Sequence, residues 1–408
     1  MSLQPRTATF QIPEETQRVA RAAFPRSTLC LQIADALGPV YEDESFADLF
    51  PRRGQPAQAP GRLAWVTVLQ FVENLSDRAA ADAVRGRLDW KYLLGLELTD
   101  PGFDHTVLSE VRSRLVAGQA EQQLLDRLLE QLQAQGLLQA GGRQRTDSTH
   151  VLAAVRDLNR LERVGETLRA TLNSVAVVAP DWLQTLAPPE WYERYGRRVE
   201  NYFLPKTDAA RQALAATIGA DGQLLLEAID AADEHGWLGK VPAVQILRRV
   251  WAEQYVEVEG TLVWRPVNDM PSPAGLIASP YDPEARYSTK RSVEWVGYKV
   301  HLTETCDPAA PRLIVNVETT PATTPDDNMV VVVHASLAQC NRLPAEHLVD
   351  KGYTSAQVLL DSQRDYQVVL IGPVADDPSW QARAGEGFAK ADFQIDWDRQ
   401  VATCPAGH

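Results

Sequence analysis

Two short stretches hold most of the side chains in this chain that could do chemistry. Arg145–Val151 reads Arg-Thr-Asp-Ser-Thr-His-Val, and Leu348–Tyr353 reads Leu-Val-Asp-Lys-Gly-Tyr. Each places an aspartate, Asp147 or Asp350, at the end of a short strand-like run. Hard carboxylate oxygens suit Mg²⁺ or Mn²⁺, which keep several waters. Two such ions about 3.5–4 Å apart activate an attacking water or 3′-hydroxyl and stabilise the leaving oxygen of an in-line displacement at phosphate. An aspartate before Ser-Thr also serves as a turn or cap residue, so Asp147 alone carries little. In an open α/β sheet, functional groups gather at strand ends that face a crevice. Adjacent central strands would therefore bring these two carboxylates together, and the pair carries the argument. A third carboxylate normally completes the scheme, and none stands in an obvious place.

The neighbouring cations are weaker signals. Lys299 and His301 flank Val300 and are expected on one face of a strand, where they would meet either phosphate or water. Lys351 follows Asp350 and is the expected phosphate contact at that strand end. His150 is read as a structural histidine. Arg286, Lys290, Arg291 and Lys299 make one locally basic stretch, and Arg194, Arg197, Arg198 and Lys206 make another. The formal net charge is −14, so no global attraction to nucleic acid exists. Any phosphate binding must come from such local clusters releasing counterions.

The elements that position these groups follow from periodicity. From Pro13 to about Gly136 the pattern is helical: Ala64, Val68, Leu69 and Val72 recur at helical spacing, as do Leu124, Leu125, Leu128, Leu129 and Leu132. A loop over Gly54–Gly61 precedes a helix from about Arg62. One helix is expected near Asp77–Leu94, then a turn at Asp100-Pro101-Gly102. The next helix starts at His105, with Asp104 as N-cap, Phe103 and Leu108 as its staple, and Arg112 and Arg114 along it. Two helices joined by a turn can contact DNA, although this turn is long for that purpose.

Arg143–Val151 reads as extended. Helical spacing returns with Leu158, Leu161, Val164, Leu168, Leu172 and Val175, and a helix-rich region continues to about Tyr255. A proline-rich connection over Pro266–Pro283 follows. Trp295–Leu302 and Leu313–Val317 are strands, then a helix near Asp327–Asn341, a strand His347–Asp350, a helix from Thr354 and a strand Tyr366–Ile371. A hairpin feeding βαβ units implies a mixed sheet covered by helices.

At 408 residues the chain is expected to form two or three domains. Its hydrophobic share of 45% and charged share of 23% are those of ordinary globular proteins. No apolar run reaches the roughly 20 residues a membrane span needs, and the polar Met1–Phe10 is no export signal. Four scattered cysteines argue for a reducing compartment. Cytoplasmic is the expected location.

Thr146–His150 followed by Leu158-Asn159-Arg160-Leu161-Glu162 resembles the first-aspartate region of bacterial insertion-sequence transposases of the DDE type. Ser279–Arg286 and Trp295–His301 are similar to the segments before and within that family's second strand, and His347–Tyr353 to its second-aspartate strand. Arg85–Trp90, with Phe103-Asp104-His105 and the helix after it, resembles the InsH-type N-terminal domain. The resemblance implies a multi-domain α/β chain: a helical N-terminal domain (13–140), an RNase H-like mixed-sheet core (141–154 and 285–375), a helical insertion (155–284) and the start of a C-terminal insertion (376–408). It implies two Mg²⁺ or Mn²⁺ ions, with Asp147 and Asp350 as catalytic metal ligands. Expected partners are double-stranded DNA, as terminal repeats and target, and a second copy in a homodimer, with no membrane. Arg112, Arg114, Arg145, Lys299 and Lys351 are the expected DNA contacts. The family's third residue, a glutamate on a later helix, is not matched by Glu386, which sits in an Ala-Gly context. The chain is therefore expected to be C-terminally truncated; Cys404 is either a lone cysteine without a role or an orphaned ligand of a structural metal site, the first being the commoner case. The expected activity is metal-dependent DNA cleavage and strand transfer, impaired in this chain. The alternatives are a non-catalytic DNA-binding remnant that occupies element ends, or a metal-dependent phosphohydrolase acting on small substrates.

Overall fold

A helix that is apolar on every side must be enclosed, and Leu88-Asp89-Trp90-Lys91-Tyr92-Leu93-Leu94 is close to that limit. The computed structural model describes residues 11–407 other than 52, 55–56, 157, 233–235, 291, 309, 375 and 378. Met1–Phe10 and Arg291, both used above, lie outside the described residues. The chain divides into two compact units. One comprises Met1–Gln144, Glu304–Val315 and Ser336–Glu346; the other comprises Arg145–Thr303, Asn316–Ala335 and His347–His408.

The first unit is built on helices α1 (Glu14–Ala23), α2 (Leu29–Leu37), α3 (Pro60–Val72), α4 (Asp77–Gly86), α5 (Leu88–Leu94), α6 (Thr106–Ala117) and α7 (Gln122–Ala134). Trp90, Tyr92, Leu93 and Leu94 of α5 are fully buried among α1 and α2. Burial of each such side chain contributes about 1.5–3 kcal/mol. The single helix expected over Asp77–Leu94 is in fact two. Arg87 adopts an extended conformation between them. Its guanidinium donates to Asp89 at 2.6 and 3.0 Å and also to Glu73, while Trp90 Nε1 donates to Glu73 at 3.2 Å. The partner fourteen residues earlier, Glu73, outweighs the local helical pattern. α6 starts at Thr106, one residue later than expected, with His105 and not Asp104 in the N-cap position; Asp104 Oδ1 still accepts from the Thr106 amide at 2.9 Å and the Thr106 hydroxyl at 2.6 Å. Leu108 is fully buried in the core against which Phe103 packs.

The remaining elements are β1 (Arg143–Leu152), α8 (Arg160–Val178), α9 (Pro180–Leu186), α10 (Pro189–Tyr195), α11 (Asp208–Asp230), α12 (Pro242–Gln254), β2 (Tyr255–Val258), β3 (Thr261–Trp264), β4 (Arg286–Lys290), β5 (Val293–Thr305), β6 (Ile314–Pro321), α13 (Asn328–Gln339), β7 (Glu346–Val349), α14 (Ala356–Tyr366), β8 (Val369–Ile371), α15 (Trp380–Ala384), β9 (Gln394–Asp396) and β10 (Val401–Thr403). The main sheet runs β4-β5-β1-β7-β8, with β6 also paired to β5. The fold is α/β, a helical N-terminal part followed by a mixed sheet interrupted by a helical insertion.

Its directions follow from the pairings. The Ala153 amide donates to Val296 O at 3.0 Å and the Cys306 amide to Arg143 O at 2.9 Å, so β1 and β5 are antiparallel. Leu343 pairs with Gly141, Ala345 with Gly142 and His347 with Thr146, so β1 and β7 run in the same direction. Gly297 stands within β5 because a Cβ there would lie 2.1 Å from Val151 O. Only glycine admits that backbone approach.

The insertion packs α8 against α11 and α12 through the expected face: Leu161, Val164, Leu168, Leu172 and Val175 are buried. Asn159 and Glu162 form a capping box at its start. Two elements differ from expectation. The region after α12 contains a hairpin, β2 to β3, turned by Glu259 and Gly260 at φ 50° and 74°. Paired positive φ is the geometry of the tight turns whose twist matches the flanking strands. The strand expected from Tyr366 begins instead at Val369, because α14 runs on to Tyr366 and closes with Gln367 in the left-handed region.

Candidate functional site

Residues alternate in exposure along β1: Gln144 and Thr146 are buried while Arg145 and Asp147 are exposed. Thr146 Oγ1 lies 2.7 Å from Thr303 Oγ1 and 2.7 Å from His347 Nε2. His347 Nδ1 in turn lies 2.8 Å from His334 Nε2. This buried polar row ties β5, β1, β7 and α13 together. Burial holds both imidazoles neutral, lowering His334 to about 4 and, with the neighbouring His334 adding to the effect, His347 to about 3.

The sheet order makes β1 and β7 neighbours, so Asp147 on one and Asp350 just past the other belong to adjacent strands. Asp147 Oδ1 accepts from the Ser148 amide at 2.7 Å. Asp350 opens a short turn, Lys351–Tyr353, and its Oδ1 accepts from the Gly352 amide at 2.8 Å. Each carboxylate is exposed and receives one such amide bond.

A third acid joins them that periodicity did not reveal. Asp326 lies between β6 and α13, and its Oδ1 is 2.8 Å from Lys299 Nζ, which also donates to Thr324 O at 2.6 Å. Asp326 Oδ2 and Asp350 Oδ1 each stand 3.2 Å from the point where a Cβ on Gly352 would be, so that glycine fills the space between the two carboxylates. Tyr353 is fully buried, and burial raises its pKa; the charges of Asp326, Asp147 and Asp350 raise it further.

His301 corrects the expectation that it faces phosphate or water. It is fully buried, with Nδ1 2.6 Å from Tyr353 Oη and Nε2 3.2 Å from Thr320 Oγ1. Burial lowers its pKa. A groove of about 360 Å³ opens beside Asp326, lined among others by Ser148, His150, Ser288, Lys290, Trp295 and Lys299. His150 is exposed there, its ring 5.3 Å from that of Trp295.

The expected DNA contacts are distributed as follows. Arg112 pairs with Asp77 at 2.6 Å, and Arg114 with Glu110 at 2.8 Å while also lying over the Phe50 ring. Arg145 is exposed on β1, and Lys351 is exposed and paired with Asp376. Glu386 is exposed between Gly385 and Gly387, both at positive φ, outside any helix. Cys404 follows β10, partly exposed. Among the described residues no group of three or more His, Cys, Asp or Glu side chains is arranged as a ready metal cage. Carboxylate oxygens such as those of Asp147 and Asp350 are donors of the kind Mg²⁺ and Mn²⁺ take.

Asp326 was missed because Thr-Pro-Asp-Asp before an apolar run reads as a helix start; the available signal was a pair of acids following a strand end. Residues 18–114 match the family model described as a transposase domain (DUF772), less than half of the chain. No curated protein and no solved structure matches the chain. Among the described residues no helix is long and apolar enough to cross a membrane.

Proposed function

We propose that this chain is a DDE-type transposase whose chemistry is metal-dependent DNA cleavage and strand transfer at insertion-sequence ends. The observation that carries the reading is that the strands bearing Asp147 and leading into Asp350 are neighbours in one sheet. The transposase-domain match over residues 18–114 supports it from a separate part of the chain and favours an InsH-type helical domain. A sheet with an antiparallel side at β5 and a parallel side at β7 supports an RNase H-like core.

In this reading Asp147 and Asp350 hold Mg²⁺ or Mn²⁺, which supplies charge neutralisation at phosphate and a more acidic water or hydroxyl. The chain's own groups do the rest. The Ser148 and Gly352 amides each hold one oxygen of an aspartate, and these two carboxylates would be the groups that hold the ion. Lys299 neutralises Asp326, so that the groove beside it does not repel a phosphodiester. Ser288, Lys290 and His150 line the groove along which the strand would lie. Arg145 and Lys351 are the proposed backbone contacts. No third catalytic acid is assigned, since Glu386 has no helix to hold it, and strand transfer by this chain is expected to be severely impaired.

The test is Mn²⁺ titration of the full chain by electron paramagnetic resonance, beside DNA binding and supercoiled-plasmid nicking. Asp147→Asn and Asp350→Asn are each expected to weaken Mn²⁺ binding at least tenfold while DNA binding persists. Wild-type Mn²⁺ affinity in both variants contradicts the reading and leaves a DNA-binding protein without metal chemistry.

A further inference from the structure

We propose that the loop after α10, Arg197–Lys206, is a contact for unpaired DNA. One base stacks on Tyr202, while Arg197, Arg198, Lys206 and Arg211 take the phosphates beside it. DNA as the polyanion rests on the reading of this chain as a transposase; the surface itself does not depend on the two aspartates. From Arg197 to Lys206 the one acid is Glu200, in a chain whose net charge is −14. On the same loop Tyr202 is 81% exposed and Phe203 is 58% exposed. Leaving two adjacent rings in water forgoes the burial that Trp191, Tyr195 and Leu204 beside them achieve.

The loop is held from beneath. Trp191, Tyr195 and Leu204 belong to the core of the helical insertion. Two buried carboxylates of α8 reach the loop backbone: Glu166 accepts from the Val199 amide at 2.5 Å and Glu162 from the Asn201 amide at 2.8 Å. Arg156 donates to Val199 O at 2.8 Å. The chain on either side of Glu200 is thus fixed before any ligand arrives, and Tyr202 and Phe203 project from that base. A platform ordered in advance loses less freedom on binding.

Ring faces and charge point to the same occupant. Arg197 lies over the Phe203 ring, 5.0 Å from its centroid, and Phe203 stands edge-to-face with Tyr202 at 5.1 Å and 86°. Phe203 therefore carries a cation and braces its neighbour, while Tyr202 stays open to solvent. Lys206 Nζ lies 3.3 Å from Asn201 O and 3.5 Å from Tyr202 O. Arg211 donates to Pro205 O at 3.2 Å and Asn201 Oδ1 at 3.4 Å. These partners are neutral, whereas Arg194 is paired with Asp221 at 2.9 Å. The loop's cations keep their charge for an outside anion. An open aromatic face among such cations suits a base and its phosphates, because every base has a π-face and stacking tolerates any sequence. In a duplex those faces are covered by neighbouring pairs, so the partner is a strand with an unpaired base.

The experiment titrates the full chain against a labelled oligothymidylate, the same strand in a duplex, and vesicles of equal parts phosphatidylcholine and phosphatidylserine. Tyr202→Ala is expected to weaken single-strand binding about tenfold and to leave duplex binding unchanged. Tyr202→Phe is expected to bind like wild type, and Tyr202→Leu, which keeps apolar area but no ring, to bind like the alanine variant. Replacing Arg197, Arg198 and Lys206 together by alanine is expected to reduce the salt slope of single-strand binding by about 2, at roughly 0.7 per phosphate. These side chains are exposed, so the helical circular dichroism is expected to stay at the wild-type level. Wild-type single-strand affinity in Tyr202→Ala or Tyr202→Leu overturns the stacking contact. Loss of vesicle binding in the variants, with single-strand affinity unchanged, overturns it in favour of a lipid surface. If the wild-type chain binds the duplex but no single strand, this surface is refuted and the transposase reading stands. If it binds neither form of DNA, both fall.

Discussion

The buried His334–His347 pair makes a quantitative claim about acid. Both imidazoles are fully buried and lie 2.8 Å apart, with Thr146 accepting or donating at the far end. Their folded values, about 4 and about 3, lie below the ordinary 6.5, so the unfolded chain binds protons that the folded chain refuses. The stability they contribute is complete above 6.5 and is lost as pH falls from there toward those folded values. An imidazole that stays neutral when folded and titrates at 6.5 when unfolded costs about 2 kcal/mol at pH 5, so the pair costs about 4 kcal/mol. That is a large fraction of a typical domain stability of roughly 5–15 kcal/mol. Native-state hydrogen exchange at the β1 and β7 amides, corrected for intrinsic rates, reads the opening free energy at pH 8 and pH 5. Wild type is expected to lose about 4 kcal/mol more over this interval than the double variant His334→Leu with His347→Gln. Equal losses in the two proteins would show that the pair is protonated in the fold, and the reasoning fails.

Two further outcomes follow from packing and charge. Lys299→Met leaves the mostly buried Asp326 carboxylate without its cation and is expected to cost about 3 kcal/mol in urea unfolding; adding Asp326→Asn should restore most of it. Gly222→Leu drives a side chain into the indole of Trp251, 2.1 Å from where the Cβ would lie, and is expected to destabilise the helical insertion by at least 1–3 kcal/mol, read as an earlier melt of the helical signal.

What could be read in the residues was what they settle locally. The α8 face, the strands carrying Asp147 and Lys299, and the start of α6 near Asp104 each depend on neighbours a few positions away. The break at Arg87 does not, because it depends on Glu73 fourteen residues earlier. The β2–β3 hairpin was hidden because Glu259, at positive φ, is not a residue that announces a tight turn, although Gly260 beside it is. Strand β4 carries a polar sequence, Arg-Tyr-Ser-Thr-Lys, and exists because β5 offers it an edge. At the site only Asp350 follows a strand end as expected; Asp147 lies at the fifth residue of the ten-residue β1, because that strand runs on to Leu152 beside β5. Asp326 and His301 were not legible, since the first looks like a helix cap and the second, at alternating spacing beside a lysine, looks exposed. Both gain their roles only when β5, β6 and the Asp350 turn meet around Tyr353.

The proposal that Asp147 and Asp350 together hold a divalent ion is tested by anomalous diffraction from crystals of the full chain grown with Mn²⁺. A manganese peak is expected within about 2.1 Å of one oxygen from each of the two carboxylates. A peak on only one of them, or manganese bound only elsewhere in the molecule, would contradict it.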